Sequence, residues 1–239
     1  MNRPDTRGAF VASVLAVLLL TGCVAAASGE PSPTSDPGAP VTPSASAGPM
    51  AETVADTASI TVGVDSLVLS AGDGAVLASF DYYADEAEPV VIALTTAFGG
   101  AATIEEDRGS QEHVPSTRHT WGSFTVIELH YRDDEHRSSF LPTRAPAFAV
   151  EFADEGSNGI EFASADGRTV GEDWSEIESQ STFRIAGECA HAYTESKELE
   201  VVWYDGSPKT ERLVVDLVPS DDTTTLAEVH APVVESGCV

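Results

Sequence analysis

Three cysteines, six histidines and 39 carboxylates against 12 lysines and arginines are the groups from which this 239-residue chain could build chemistry. Their densest cluster is His130-Tyr131-Arg132-Asp133-Asp134-Glu135-His136, where two imidazoles flank three carboxylates. Those ligand types suit a divalent ion. The surrounding alternation, however, turns His130 outward from an Ile127, Leu129, Tyr131 strand face and makes Asp133 to Glu135 a solvated turn, so no metal site is expected. A second acidic stretch runs from Asp166 through Gly167, Arg168, Thr169, Val170, Gly171 and Glu172 to Asp173. In the calcium-loop register Arg168 and Val170 fall on ligand positions three and five, and Ile177 on the twelfth, which removes the coordinating oxygens. No cofactor is expected.

Catalytic signatures are scarce. The chain lacks a Gly-x-Ser-x-Gly elbow, His-Glu-x-x-His, a phosphate-binding Gly-x-x-x-x-Gly-Lys-Ser/Thr and Gly-x-Gly-x-x-Gly. A triad assembles in space rather than in sequence, so a secreted hydrolase of unrecognised type stays open. Trp121, Trp174, Trp203, Tyr82, Tyr83 and Tyr204 have the chemistry of a ligand groove, but core or sheet packing is the expected role.

The first of the three cysteines, Cys23, closes the N-terminal segment. Arg3 and Arg7 precede an apolar run from Ala9 to Leu20, and Leu20-Thr21-Gly22-Cys23 follows. This is the order of an export signal. The run has 12 residues, short of the about 20 needed to span a bilayer as a helix. Leu20-Thr21-Gly22-Cys23 resembles the lipobox of bacterial lipoproteins. That resemblance implies diacylation of Cys23 and cleavage just before it, so residues 1–22 are the signal peptide and Cys23 the lipid attachment site on the extracytoplasmic face of the cell membrane. Two acyl chains hold a protein stably where one does not.

Residues 23–57 are rich in Ala, Ser, Gly, Pro and Thr and too poor in large apolar side chains to fold, hence a tether. As a flexible chain it spans about 30 to 35 Å. With two lysines among its basic residues, the composition is actinobacterial-like. The formal charge of −27 repels phosphates and anionic head groups, so nucleic acid is excluded as a partner. Outside the membrane disulfides persist, and Cys189 and Cys238 are read as a pair. Closing the 48 residues between them stabilises a fold by roughly 4 kcal/mol on the chain-entropy model.

The region 58–239 must supply the fold. Ile60, Val62 and Val64 alternate into Leu67-Val68-Leu69, and Asp73-Gly74 marks a turn before Ala75 to Phe80, giving an opening hairpin. Asp85 with Glu88 reads as a capping box, followed by a helix through Val90, Val91, Leu94, Ala97 and Phe98 to Gly99. Thr120 to Tyr131 and Ala147 to Phe152 read as strands. Ile160 to Ala163 leads to Asp166-Gly167, Glu172 to Gln180 forms a short helix, and Leu199 to Tyr204, Arg212 to Val218 and Ala227 to Val233 form strands. The fold class is α+β: a mostly antiparallel sheet with one or two helices packed on it. Halves 58–153 and 154–239 share a loose order of Asp-Gly turn, helix and tryptophan-bearing strand, which suggests two related α+β subdomains.

Phe98-Gly99-Gly100 with Trp121-Gly122-Ser123-Phe124, and Val170-Gly171 before Trp174-Ser175-Glu176-Ile177, resemble the repeats of β-lactamase-inhibitory-protein-like lipoproteins. The proline usual after the closing glycine is absent. That resemblance implies protein binding rather than catalysis. The expected function is a lipid-anchored, non-catalytic domain that binds a protein or small ligand at the cell envelope; the alternatives are the hydrolase and a cation-binding or structural surface protein. Replacing Cys23→Ser is expected to release the protein to the medium or leave an uncleaved precursor. Unchanged acylation and membrane fractionation would refute the anchor.

Overall fold

The computed structural model describes residues 54–110, 114–130, 145–180, 184–185, 192–202 and 206–235. Cys23, Cys189, Cys238, residues 23–53 of the tether, Tyr131 to His136, Trp203 and Tyr204 lie outside the described residues, and with them the anchor, the disulfide and most of the histidine-carboxylate cluster. The end of the expected tether belongs to the folded domain instead: Val54 is buried in the core and Thr57 begins the first strand.

The strands are β1 Thr57–Val62, β2 Ser66–Ala71, β3 Val76–Asp81, β4 Thr103–Asp107, β5 Ser116–Trp121, β6 Phe124–Leu129, β7 Phe148–Phe152, β8 Gly156–Ser157, β9 Ile160–Ser164, β10 Arg184–Ile185, β11 Ala192–Val202, β12 Pro208–Pro219 and β13 Leu226–Val234. The helices are α1 Ala87–Ala97 and α2 Trp174–Ser179. They build the expected α+β fold, with β structure dominant. One sheet has five strands in the order β3-β2-β1-β9-β8, the other eight in the order β10-β11-β12-β13-β7-β6-β5-β4. Among the described residues, only the β1–β9 pairing is parallel. Each helix leads into a four-stranded meander, and the two meanders join at β7 and β13.

Several expected elements differ in detail. The apolar run Ile60 to Leu69 is two strands rather than one. The amide of Gly63 bonds the carbonyl of Ser66 at 2.9 Å and turns the chain, so Ile60 and Val62 on β1 and Leu67 and Leu69 on β2 all reach the core. With the Asp73-Gly74 turn, where Gly74 takes φ +84°, the opening hairpin becomes a three-stranded meander. Thr120 to Leu129 is likewise a hairpin, because Gly122 sits at φ +64° in a two-residue loop and Trp121 pairs with Phe124.

The capping box does not form. Glu86 is the N-cap of α1 without a side-chain bond, while the Asp85 carboxylate accepts the Asp81 amide at 2.7 Å. The helix ends as expected at Gly99, whose φ of +68° lets Gly99 donate to Thr96 and Gly100 to Thr95, each at 3.2 Å. This is the Schellman arrangement, which satisfies carbonyls the last turn leaves open. At α2, Asp173 caps the Ser175 amide at 2.8 Å.

Four phenylalanines tie these parts together. Phe162 on β9 lies 5.1 Å from Phe124 on β6, 5.8 Å from Phe152 on β7 and 6.1 Å from Phe98 after α1, centroid to centroid. Phe98 also stacks on Trp121 at 5.7 Å, and the Trp121 indole N–H donates to the Gly100 carbonyl at 2.9 Å. Trp121, Trp174 and Tyr82 are buried, in keeping with packing roles. Phe162→Ala should destabilise the domain by about 3 to 5 kcal/mol, the usual loss for a buried aromatic truncated to alanine. A loss below about 1 kcal/mol in denaturant unfolding, on the scale of exposed-site changes, would show that the sheets do not depend on this ring.

Candidate functional site

The outer face of the five-stranded sheet carries an open concavity. β8 and β9 are joined by Asn158 at φ +53° and Gly159 at φ +82°, the paired left-handed conformation of a tight hairpin turn. Gly156 is required there, because a Cβ would sit 2.4 Å from the Ile160 carbonyl oxygen. The resulting close return of the chain, beside the outward Ser59 and Thr61 of β1 and Glu161 of β9, leaves an open groove of about 660 Å³. Asp154, Glu155 and Glu161 supply carboxylates, and Ser59, Thr61, Ser157 and Thr169 supply hydroxyls. Such a lining recognises cationic or hydroxyl-rich groups.

A second polar cluster lies at the junction between the sheets. β11 has a register shift between Thr194 and Ser196, and Glu195 within it takes φ +46°, a strained conformation for a residue with a side chain. The bulge sends Glu195 across to accept the Val64 amide at 2.9 Å. Beside it, the Thr194 hydroxyl donates to Asp166 at 2.5 Å and Lys197 donates to Asp65 at 2.9 Å. The Lys197 hydrogen bond holds the Asp65 carboxyl below its ordinary range. Burial pushes Glu195 up, and the charges of Asp166 and Asp65 add to the rise while the Val64 amide opposes it. Tyr82, fully buried on the same side, is pushed well above the ordinary tyrosine range by burial and then by Asp65 and Glu195. Its hydroxyl has no hydrogen-bond partner among the described residues.

The acidic stretch Asp166 to Asp173 carries its own cation. Arg168 bonds Glu172 at 3.1 Å and Gln180, and its Nε lies 3.7 Å from Asp166. Glu172 also accepts the Thr169 amide at 2.8 Å. The guanidinium thus meets two of the carboxylates of this stretch.

His130 faces opposite to the expected side. Phe124 and Val126 are fully buried, which places Glu128 and His130 on the inward side of β6, and Ile127 and Leu129 outward. The His130 Nε2 is bonded to the Thr117 hydroxyl at 2.8 Å. Nearby, the buried His119 ring stacks on Trp121 at 6.5 Å and meets Glu128 at 3.3 Å, with its Nδ1 unpartnered. Thr117 and His130 form a hydroxyl–imidazole contact of catalytic type. Neither residue lines the groove beside β8 and β9. Among the described residues, no group of three or more His, Cys, Asp or Glu is arranged to hold a metal ion, and no helix is long and apolar enough to cross a membrane.

The sequence pointed to neither the groove nor Glu195. The Asn158-Gly159 pair is a hairpin signal that would have located the groove's rim; the bulge at Glu195 has none, since it depends on a contact 131 residues away. Comparison with family models, with curated proteins and with solved structures finds no match.

Glu195 gives a pH prediction. A carboxyl whose folded pKa is raised contributes most below its ordinary range and loses that contribution as pH rises through the folded value. Glu195→Gln keeps an acceptor for Val64 and removes the charge. The thermal midpoints of variant and parent should differ little at pH 4, and the variant should gain on the parent as pH rises to 7. A difference independent of pH would remove Glu195 charge as its source.

Proposed function

We propose that this protein is a lipid-anchored extracytoplasmic lipoprotein, held at the cell membrane by Cys23, whose α+β domain binds a protein or small ligand at the envelope without converting it chemically. The observation that carries this reading is the open acidic groove beside β8 and β9, whose three carboxylates and ring of hydroxyls are spread over a broad, accessible surface. A surface of this kind suits recognition of a cationic ligand or basic protein segment. In this reading the Cys189–Cys238 disulfide secures the C-terminus against the body of the domain, and the tether holds the groove clear of anionic head groups.

The test uses the full chain on intact cells, with a photo-crosslinking residue at Thr61 in the groove or at the exposed Glu200 on β11. A discrete adduct at Thr61, absent at Glu200 and weakened by added salt, is the expected outcome. The same adducts from both positions, or none from Thr61, would overturn the assignment of the groove.

A further inference from the structure

Among the described residues, β4 is the last strand of the eight-stranded sheet, paired on one side only, through Thr103–Thr120, Ile104–His119, Glu105–Arg118, Glu106–Thr117 and Asp107–Ser116. All five of its residues are exposed, and Ile104 is 62 % exposed. Which of its backbone groups are free follows from the neighbouring hairpin. Trp121 and Phe124 flank a two-residue loop, so they are a hydrogen-bonded pair, and in β5 it is Trp121, His119 and Thr117 that bond β6. Ser116, Arg118 and Thr120 then bond β4 at Asp107, Glu105 and Thr103. The N–H and C=O groups of Ile104 and Glu106 therefore point away from the sheet, and among the described residues nothing pairs with them.

An open edge of this kind templates the addition of another strand unless something opposes it. Here the opposing device is charge, from Glu105, Glu106 and Asp107. Charge discriminates by sign. A second copy of this chain, with formal charge −27, would bring three more carboxylates to the same edge and is repelled; a basic strand is attracted. The pleat adds a pattern: Ile104 and Glu106 share one face of β4, while Thr103, Glu105 and Asp107 share the other. An incoming strand that alternates apolar and basic residues covers Ile104 with its apolar face and meets Glu105 and Asp107 with its basic face.

We propose that β4 is a docking edge for an extended basic segment of a partner protein, which adds to the sheet as a ninth strand. This contact is separate from the groove, so either can fail while the other stands.

The probe is a nine-residue peptide of alternating lysine and valine, added to isotope-labelled protein, with a glutamate-for-lysine peptide as the comparison. Slowed amide exchange at Ile104 and Glu106, binding that weakens as salt rises, and no response to the acidic peptide are expected. Glu106→Pro removes one outward N–H without touching the β4–β5 ladder, a substitution an edge strand tolerates. It should weaken binding by about tenfold relative to Glu106→Ala, the scale of one lost main-chain bond. Replacing Glu105, Glu106 and Asp107 together by lysine should transfer the preference to the acidic peptide. Binding without protection at Ile104 and Glu106, equal binding of the two peptides, no binding by either peptide, or equal affinity of the proline and alanine variants would each overturn the proposal; unchanged spectra elsewhere establish that the variants fold.

Discussion

The meeting of Phe162 with Phe98, Phe124 and Phe152 is the contact on which the architecture rests, because it is where β9, α1, β6 and β7 share one apolar volume. Each sheet alone has a face that must be removed from water, and two or more packed layers are the general solution. The interplanar angles, 58° to Phe124 and 60° to Phe152, are tilted rather than face to face, in line with ring electrostatics. Around this centre one continuous cluster of buried side chains extends from Val54 to Ala231. The Schellman end of α1 serves the same centre, since it fixes Phe98 and brings the Gly100 carbonyl to Trp121.

Polar contacts add geometry where the apolar cluster supplies only cohesion. The β11 bulge reaches the β1–β2 turn through Glu195 and Lys197, and Thr194 reaches the turn after β9 through Asp166. Lys197 and Asp65 are nearly half exposed, so that pair contributes little to stability. Glu195 is more demanding, since a carboxylate drawn out of water beside two others is opposed by burial and by their charge. Strain at φ +46° and an elevated proton affinity coincide at this residue, a combination held in place by the sheets on either side.

The sequence was most legible where one local signal determined the outcome. Asp73-Gly74, the helix from Val90 to Gly99 and the alternation of Phe148, Val150 and Phe152 each gave the observed element. It was least legible where a strand turned unexpectedly. Gly63 and Gly122 divide runs whose composition reads as continuous, and β4, with four polar residues among its five, gives no alternation of buried positions at all. His130 shows the cost of a parity error: a single residue of slip between Phe124 and Ile127 reverses every side chain that follows. The groove depends on the parallel pairing of β1 with β9, a long-range register that periodicity cannot encode.

That parallel pairing also governs the order in which the molecule can form. β1 meets β9 about a hundred residues downstream, through Ser59–Glu161 to Val62–Ser164, so the β1–β2–β3 meander completes its local ladder long before its inner edge is covered. Distant closure slows folding, because chain entropy is lost before the contact rewards it. During that interval Ile60 and Val62 sit on an unpaired apolar edge, the kind of surface through which partly folded chains associate. A strongly negative chain repels its own copies before that edge is covered, so the excess of carboxylates opposes association during folding as well as solubilising the finished protein.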